Sequence, residues 1–271
     1  MSQSRSRYIE SALALATAAV ALCGASARAQ LAGGHVVAGQ ATISQSSATS
    51  TLIRQTSPSA LITWTGFSIP RGSSVTFEQP SASAIALNRV LGGSPSFLLG
   101  SLSANGQVWL VNPAGIVVGS GATISAAGVL LSTADIHDAD FLAGNYSFSV
   151  PGNAGAGIVN KGAITADAGG SVVLAGAHVT NEGLIAASLG TVVVAGASTY
   201  AVDFAGDGLL SFAIDSGSSA SRTLVNNAGT IAAPGGLVLM TAKTATDVLD
   251  NVINTSGIVE ATSAANVNGT I

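Results

Sequence analysis

The residues best placed to do chemistry are acidic. Asp135, Asp138 and Asp140 flank His137 in the run TADIHDADF, and Asp203, Asp207 and Asp215 lie in YAVDFAGDGLLSFAID. Spaced carboxylates of this kind can converge on calcium or share a proton in acid–base catalysis. The first run lacks the spacing and closing glutamate of an EF-hand loop, which favours a polar turn between strands. The second lacks the glycine-aspartate nonapeptide of calcium β-rolls, and Asp and Gly are ordinary turn residues. His35, His137 and His178 are widely spaced, without an HExxH pattern or cysteine partners, and His178 falls at a repeat corner where a solvent-facing polar residue is expected. No nucleophile-elbow, dinucleotide or P-loop pattern occurs among the 33 glycines. Trp64 and Trp109 have the shape of sugar-stacking platforms, but Trp109 stands between Val108 and Leu110 in an apolar run and reads as core or cap packing. The expectation is a protein that is not an enzyme, with no catalytic residues, no metal site and no cofactor.

The elements that carry these residues are short repeats. IVNKGAITA at 158–166, VTNEGLIAA at 179–187, VNNAGTIAA at 225–233 and INTSGIVEA at 253–261 align Gly162, Gly183, Gly229 and Gly257. Each glycine is followed two places on by Ile164, Ile185, Ile231 or Val259, and asparagine precedes it by two in the first three units (Asn160, Asn181, Asn227) and by three in the last (Asn254). SVVLAGA from Ser171 matches TVVVAGA from Thr191, and GLVLMTA from Gly236 resembles both. A 21-residue spacing between the first two units suits short strands joined by Asn- and Gly-containing turns, with Val and Ile favouring the pleat. The fold class expected is all-β, a right-handed parallel β-helix in which each repeat is one coil. Alternation in Ser73-Val75-Phe77 and Gly162-Ile164-Ala166 places every second side chain inside. Gly and Asn are expected to supply left-handed corner conformations.

The longer spacings, 46 residues from Gly183 to Gly229 and 28 from Gly229 to Gly257, imply added material. Tyr200 to Asp215 reads as two strands around Ala205-Gly206-Asp207-Gly208, an extra hairpin near 199–222 that protrudes or covers a face. Upstream of Gly157 the pattern is less regular and aromatic-rich, which suits the N-terminal cap a solenoid needs. No helix is expected beyond the apolar run near the start.

That run, Ala12 to Ala25, follows Arg5 and Arg7 and closes on Ala27-Arg28-Ala29, the pattern of a signal peptide (residues 1–29) cleaved after Ala29. It falls short of the roughly 20 apolar residues that cross a bilayer. Cys23, the single cysteine, leaves with it, so neither disulfides nor a cysteine metal site holds the mature chain. Charged residues are 8% of the chain where about 25% is usual, and aromatics only 4%, so Val, Ile, Leu and Ala must fill the interior. Loss of Arg5, Arg7, Arg28 and Glu10 leaves six basic and twelve acidic residues, a net charge of −6. Nothing in that balance attracts nucleic acid, which needs clustered Lys and Arg.

Ordered motifs follow from Phe67: Asn88-Arg89-Val90, Gly92-Gly93-Ser94-Pro95-Ser96, Leu102 and Gly106, Asn112-Pro113-Ala114-Gly115-Ile116, Leu131-Ser132-Thr133 with Asp135-Ile136, and Asp140-Phe141. Over about 38–148 the chain resembles the secretion domain of filamentous-haemagglutinin-like exoproteins, the secreted partners of two-partner secretion systems. The resemblance implies a cap and secretion domain over 30–156, and continuing β-helix repeats over 157–271. It implies export across the periplasm unfolded, recognition by an outer-membrane β-barrel transporter with periplasmic domains, and folding on emergence at the cell surface. Adhesion to host or cell-surface receptors would then reside in sequence beyond this chain, which stops mid-pattern at Asn266 to Ile271 and reads as truncated. Asn88, Arg89, Gly92, Pro95, Asn112, Pro113 and Gly115 carry over as transporter-recognition and turn residues. The family's Asn-Pro-Asn-Gly has Ala114 in its third place here, a change expected to shift or weaken the turn, because Ala tolerates positive φ poorly. The alternatives are a polysaccharide-lyase-like β-helix enzyme, for which basic residues are scarce after 150, and an autotransporter passenger, which would need its own membrane barrel.

Overall fold

A short strand with one apolar face cannot bury that face alone, so copies of it stack. The computed structural model describes residues 31–153, 155–204, 210–216, 224–242 and 253–262. The expected signal with Ala27 and Ala29, the hairpin tip from Ala205 to Gly208 with Asp207, and the final Asn266 to Ile271 lie outside the described residues.

The chain opens with β1 (His35–Ala38), β2 (Ala41–Ser47), β3 (Ser50–Gln55), β4 (Ser59–Trp64), β5 (Ser74–Glu78) and β6 (Ile85–Val90). Two three-strand coils follow: β7 (Ser96–Leu98), β8 (Ser101–Ala104), β9 (Gln107–Val111), then β10 (Ile116–Val118), β11 (Thr123–Ala126), β12 (Gly128–Ser132). An excursion carries α1 (Asp138–Ala143) and β13 (Ser147–Phe148). Coiling resumes with β14 (Ile158–Asn160), β15 (Ala163–Ala166), β16 (Ser171–Gly176), then β17 (Val179–Asn181), β18 (Leu184–Ala187), β19 (Thr191–Gly196). A hairpin, β20 (Thr199–Phe204) and β21 (Leu210–Ser216), precedes β22 (Val225–Asn227), β23 (Thr230–Ala232), β24 (Leu237–Ala242), β25 (Ile253–Thr255) and β26 (Ile258–Glu260).

Three long sheets result. Sheet one runs β1-β4-β6-β9-β12-β16-β19-β24, sheet two β2-β3-β5-β8-β11-β15-β18-β23-β26, and sheet three β7-β10-β14-β17-β22-β25. Neighbours from different coils pair in parallel, so the fold is a parallel β-helix. At its start, antiparallel β1 and β2 bring Val36, Ala41 and Ile43 over the first coil's core, against Trp64. The same three sheets continue through position 156 without a break.

The interior is a set of ladders. Leu102, Ile124, Ile164, Ile185, Ile231 and Val259 are successive register partners, which bears out the alignment of the repeats. Strands within sheets two and three, such as β5 and β14, alternate buried and more exposed positions, whereas β6, β12 and β19 are buried at every position. From β6 to β19 sheet one is covered on both faces, which is why its strands there read as unbroken apolar runs. Its outer face carries Leu61, Leu87, Trp109, Leu130, Val173 and Val193, again in register. Over them lie Ile136, Phe141 and Phe148 from the excursion and Tyr200 and Val202 from β20. The hairpin therefore covers a face: β20 pairs with β13, and Phe148 and Tyr200 stack at 4.7 Å.

Two expectations are corrected. A helix exists: α1, too short to show a 3.6-residue period, with Asp138 and Asp140 in its first turn and Gly144 closing it at φ 75°. The repeat glycines Gly162, Gly183, Gly229 and Gly257 are not among the positive-φ residues. They are glycine because a Cβ at Gly183, Gly229 or Gly257 would strike the carbonyl oxygen of the glycine one coil below. Nor do the asparagines make left-handed corners. Asn160 Nδ2 donates to Asn181 Oδ1 at 2.8 Å, and Asn181 Nδ2 to Asn227 Oδ1 at 2.7 Å, all fully buried. Thr255, not Asn254, takes the next rung.

Asn181→Ala leaves the Gly183 N–H and the Asn160 amide short of an acceptor inside the corner. Loss of about 2–3 kcal/mol is expected from the chemical-denaturation midpoint; a change under about 0.5 kcal/mol would show that the ladder is not structural.

Candidate functional site

Added segments leave the β-helix at one corner, where sheet one hands over to sheet three: those between β6 and β7, β9 and β10, β12 and β14, and β19 and β22 all start and end there. The motif residues converge on this corner but point in three directions.

Asn88 faces the tube interior and is fully buried. Its Oδ1 accepts from Trp64 Nε1 at 3.0 Å, and its Nδ2 donates to the carbonyls of Ala86 and Trp109 at 3.1 and 3.3 Å. An amide inside a tube of aliphatic side chains is tolerable only with both ends satisfied, as here.

Arg89, one residue on, faces the opposite side of β6. Its Nε donates to Asp135 Oδ1 at 2.9 Å, and its two terminal nitrogens reach Asp138 Oδ1 and the Ile136 carbonyl. Burial works against the Arg89 charge, but the hydrogen bond to Asp138 and the charge of Asp135 outweigh it, and its pKa lies above the ordinary value. The acidic run that could have held a cation thus holds a guanidinium, and the expected polar turn is the entry to α1. Asp140 accepts from Asn145 Nδ2 at 3.0 Å.

The corner loop is organised by Asn112, also fully buried. Its Nδ2 donates to the Ser94 carbonyl at 3.1 Å and to Ser96 Oγ at 2.9 Å, tying down the preceding coil's loop. Its Oδ1 accepts the Ala114 N–H at 2.9 Å, and its carbonyl accepts the Gly115 N–H at 3.0 Å, closing a β-turn with Pro113 in the second position. Positive φ falls on Gly115, at 113°, and not on Ala114. Ala114 therefore sits unstrained in a closed turn, contrary to the expected weakening; the side chain that caps the turn is that of residue 112. Gly92 is required because a Cβ would strike the Thr65 carbonyl oxygen. Pro95 is exposed on the loop that Asn112 holds, and Pro113 is half-buried.

Sequence reasoning missed the partners of Arg89. The signal was present: Ile85, Leu87 and Arg89 alternate onto one face of a strand buried throughout, and a buried Arg requires carboxylates. It also missed the aromatic cluster on the outer face of sheet one, where Trp109 meets Tyr146 at 4.7 Å and Phe141 at 6.0 Å, edge to face. Burial raises the Tyr146 phenol pKa, and full burial pushes that of Tyr200 far above the phenol range. His178 is half-buried, with its ring against Gly157, instead of facing solvent. Asp203 is exposed on β20. Among the described residues no three His, Cys, Asp or Glu side chains group closely enough to hold a metal, and no helix is long and apolar enough to cross a membrane.

Fold and corner define a class: a β-helical domain whose buried polar motif residues hold its own loops in place. The chain belongs to the TPS secretion domain family, whose family model matches residues 27–271. The crystal structure of the HMW1 secretion domain from Haemophilus influenzae aligns with a TM-score of 0.74 at 32% identity, over 87% of this chain and 60% of that one. A heme/hemopexin-binding protein of H. influenzae is 41% identical over 113 residues, 42% of this chain and 12% of the relative. Its counterpart in another strain is 41% identical over 112 residues. The matched segment thus spans about an eighth of the curated relatives' length.

Two substitutions separate the roles within the turn. Ala114→Asn should leave stability within about 0.5 kcal/mol, since its position needs neither a side-chain acceptor nor positive φ. Asn112→Ala should cost about 2–3 kcal/mol in denaturant titration, because the Ala114 N–H, the Ser94 carbonyl and Ser96 Oγ lose their partner. Equal effects at the two positions would contradict this assignment.

Proposed function

We propose that this chain is the secretion-recognition and fold-nucleating domain of a filamentous-haemagglutinin-like exoprotein, passed unfolded to a partner outer-membrane β-barrel transporter with periplasmic domains and folded at the cell surface. The observation that carries the reading is the full burial of Asn88 and Asn112. A partner can read these side chains only before the coils close, so recognition by direct contact with them precedes folding. A chain without disulfides in its mature part suits this order, because nothing covalent must form in the periplasm. Each coil that stacks outside buries apolar surface, and that gain opposes return of the chain through the pore. Adhesion by the whole exoprotein, and the receptors it would bind, belong to sequence beyond this domain.

An enzymatic reading has less support. Lys161, the basic side chain described after residue 150, is paired with Glu182 at 3.0 Å on the surface of adjacent coils. A lyase site needs such a group free to meet a substrate carboxylate.

Cells producing this chain should release it into the medium only when the cognate transporter is present. Immunoblots of medium and periplasm compare the two strains. Undiminished release after transporter deletion would sink the proposal; retention and degradation in the periplasm would support it.

A further inference from the structure

The outer face of sheet one is assembled from parts far apart in the chain. Where no insertion intervenes, side-chain bonds between successive coils span 21 to 30 residues, as in Asn160 to Asn181, Ser50 to Ser74, Thr76 to Ser103 and Gln55 to the Ile85 carbonyl; across the hairpin insertion, Asn181 to Asn227 spans 46. The bonds from Arg89 to Asp135 and Asp138 span 46 and 49. Phe148 in turn is covered by Tyr200, which pairs with it across β13 and β20. Coils can therefore stack from neighbouring sequence, while the lid over Leu87, Arg89 and Trp109 waits for residues beyond 134 and its second layer for residues beyond 198.

Arg89 makes the waiting consequential. Its side chain is only 10% exposed once the lid is on, and a guanidinium does not shed its proton. Covering it without carboxylates would strand a buried charge, so the face around it stays hydrated until Asp135, Asp138 and the Ile136 carbonyl arrive together. Closure then brings Ile136, Phe141 and Phe148 onto the sheet in the same event.

We propose that Arg89 is a positioning residue acting as a late latch: it admits the lid, residues 135–150, only in its native register, after the coils have stacked, and the β20 hairpin then seals that lid. This rests on the export reading for its meaning in the cell. On a chain emerging N-terminus first, the early coils remain open on one face until the lid and then β20 have followed.

Pulse-labelled hydrogen exchange during refolding of the purified full chain tests the order. The amides of β9 and β12 should gain protection in an early phase. Those of Asp135, Val150 and Val202, which bond to Val150, Asp135 and Tyr146 carbonyls, should gain it in a later one. In native-state exchange, Arg89→Met and Asp138→Ala should each speed exchange of these three amides roughly tenfold or more and leave β16 and β19 unchanged. Should Arg89→Met fail to fold, Asp138→Ala carries the test, since that carboxylate is half exposed. A single common phase, or variants that speed all amides equally, would overturn the latch. No transporter takes part, so a failure here leaves the export reading intact, and failure of transporter-dependent release leaves the latch intact.

Discussion

Parallel stacking is the constraint on which everything else depends. In each coil the backbone N–H and C=O groups find their partners one coil above and one below, so a coil by itself satisfies almost none of its polar groups. Stability is then a sum of neighbour-to-neighbour interfaces, as in other solenoids. The columns of glycine and the buried asparagine ladder serve this spacing: the first removes every atom that would hold coils apart, and the second bonds coil to coil inside a corner where backbone alone leaves donors unmet.

The exception to local stacking is the outer face of sheet one. Three strand faces of a tube need only their neighbours, but a second apolar layer needs a cover brought from elsewhere. All the cover comes from insertions at one corner, and the ion pairs of Arg89 fix where the first of them lands. The same corner contains Asn112, which ties together the loops of two successive coils. Motif residues that look like a recognition surface in one dimension are, in three, the fasteners of that corner.

Much of this was legible in the sequence, for a physical reason. Repeats report register directly: Ile164, Ile185, Ile231 and Val259 align in the text because they touch in space. The runs SVVLAGA and TVVVAGA align for the same reason, and the Tyr200 to Asp215 segment announced its hairpin; that the two runs are buried on both faces shows only with the cover in place. Long-range pairings leave no such period. Arg89 and Asp138 share no local pattern, and α1 is too short for one. The glycine columns were read through φ preference when close approach was the cause, and the two differ only once the neighbouring coil is in view. Ala114 was misjudged because the turn's demand for positive φ falls one residue later, at Gly115.

The motif asparagines are hidden by the fold, so a transporter that reads them would have to meet the chain before it closes. The most direct measurement is binding of the purified periplasmic domains of the cognate transporter to two forms of the same chain: natively folded, and freshly diluted from denaturant. Capture of the unfolded chain and none of the folded one is expected. Equal affinity for both forms would contradict it, because Asn88 and Asn112 present no surface in the folded domain.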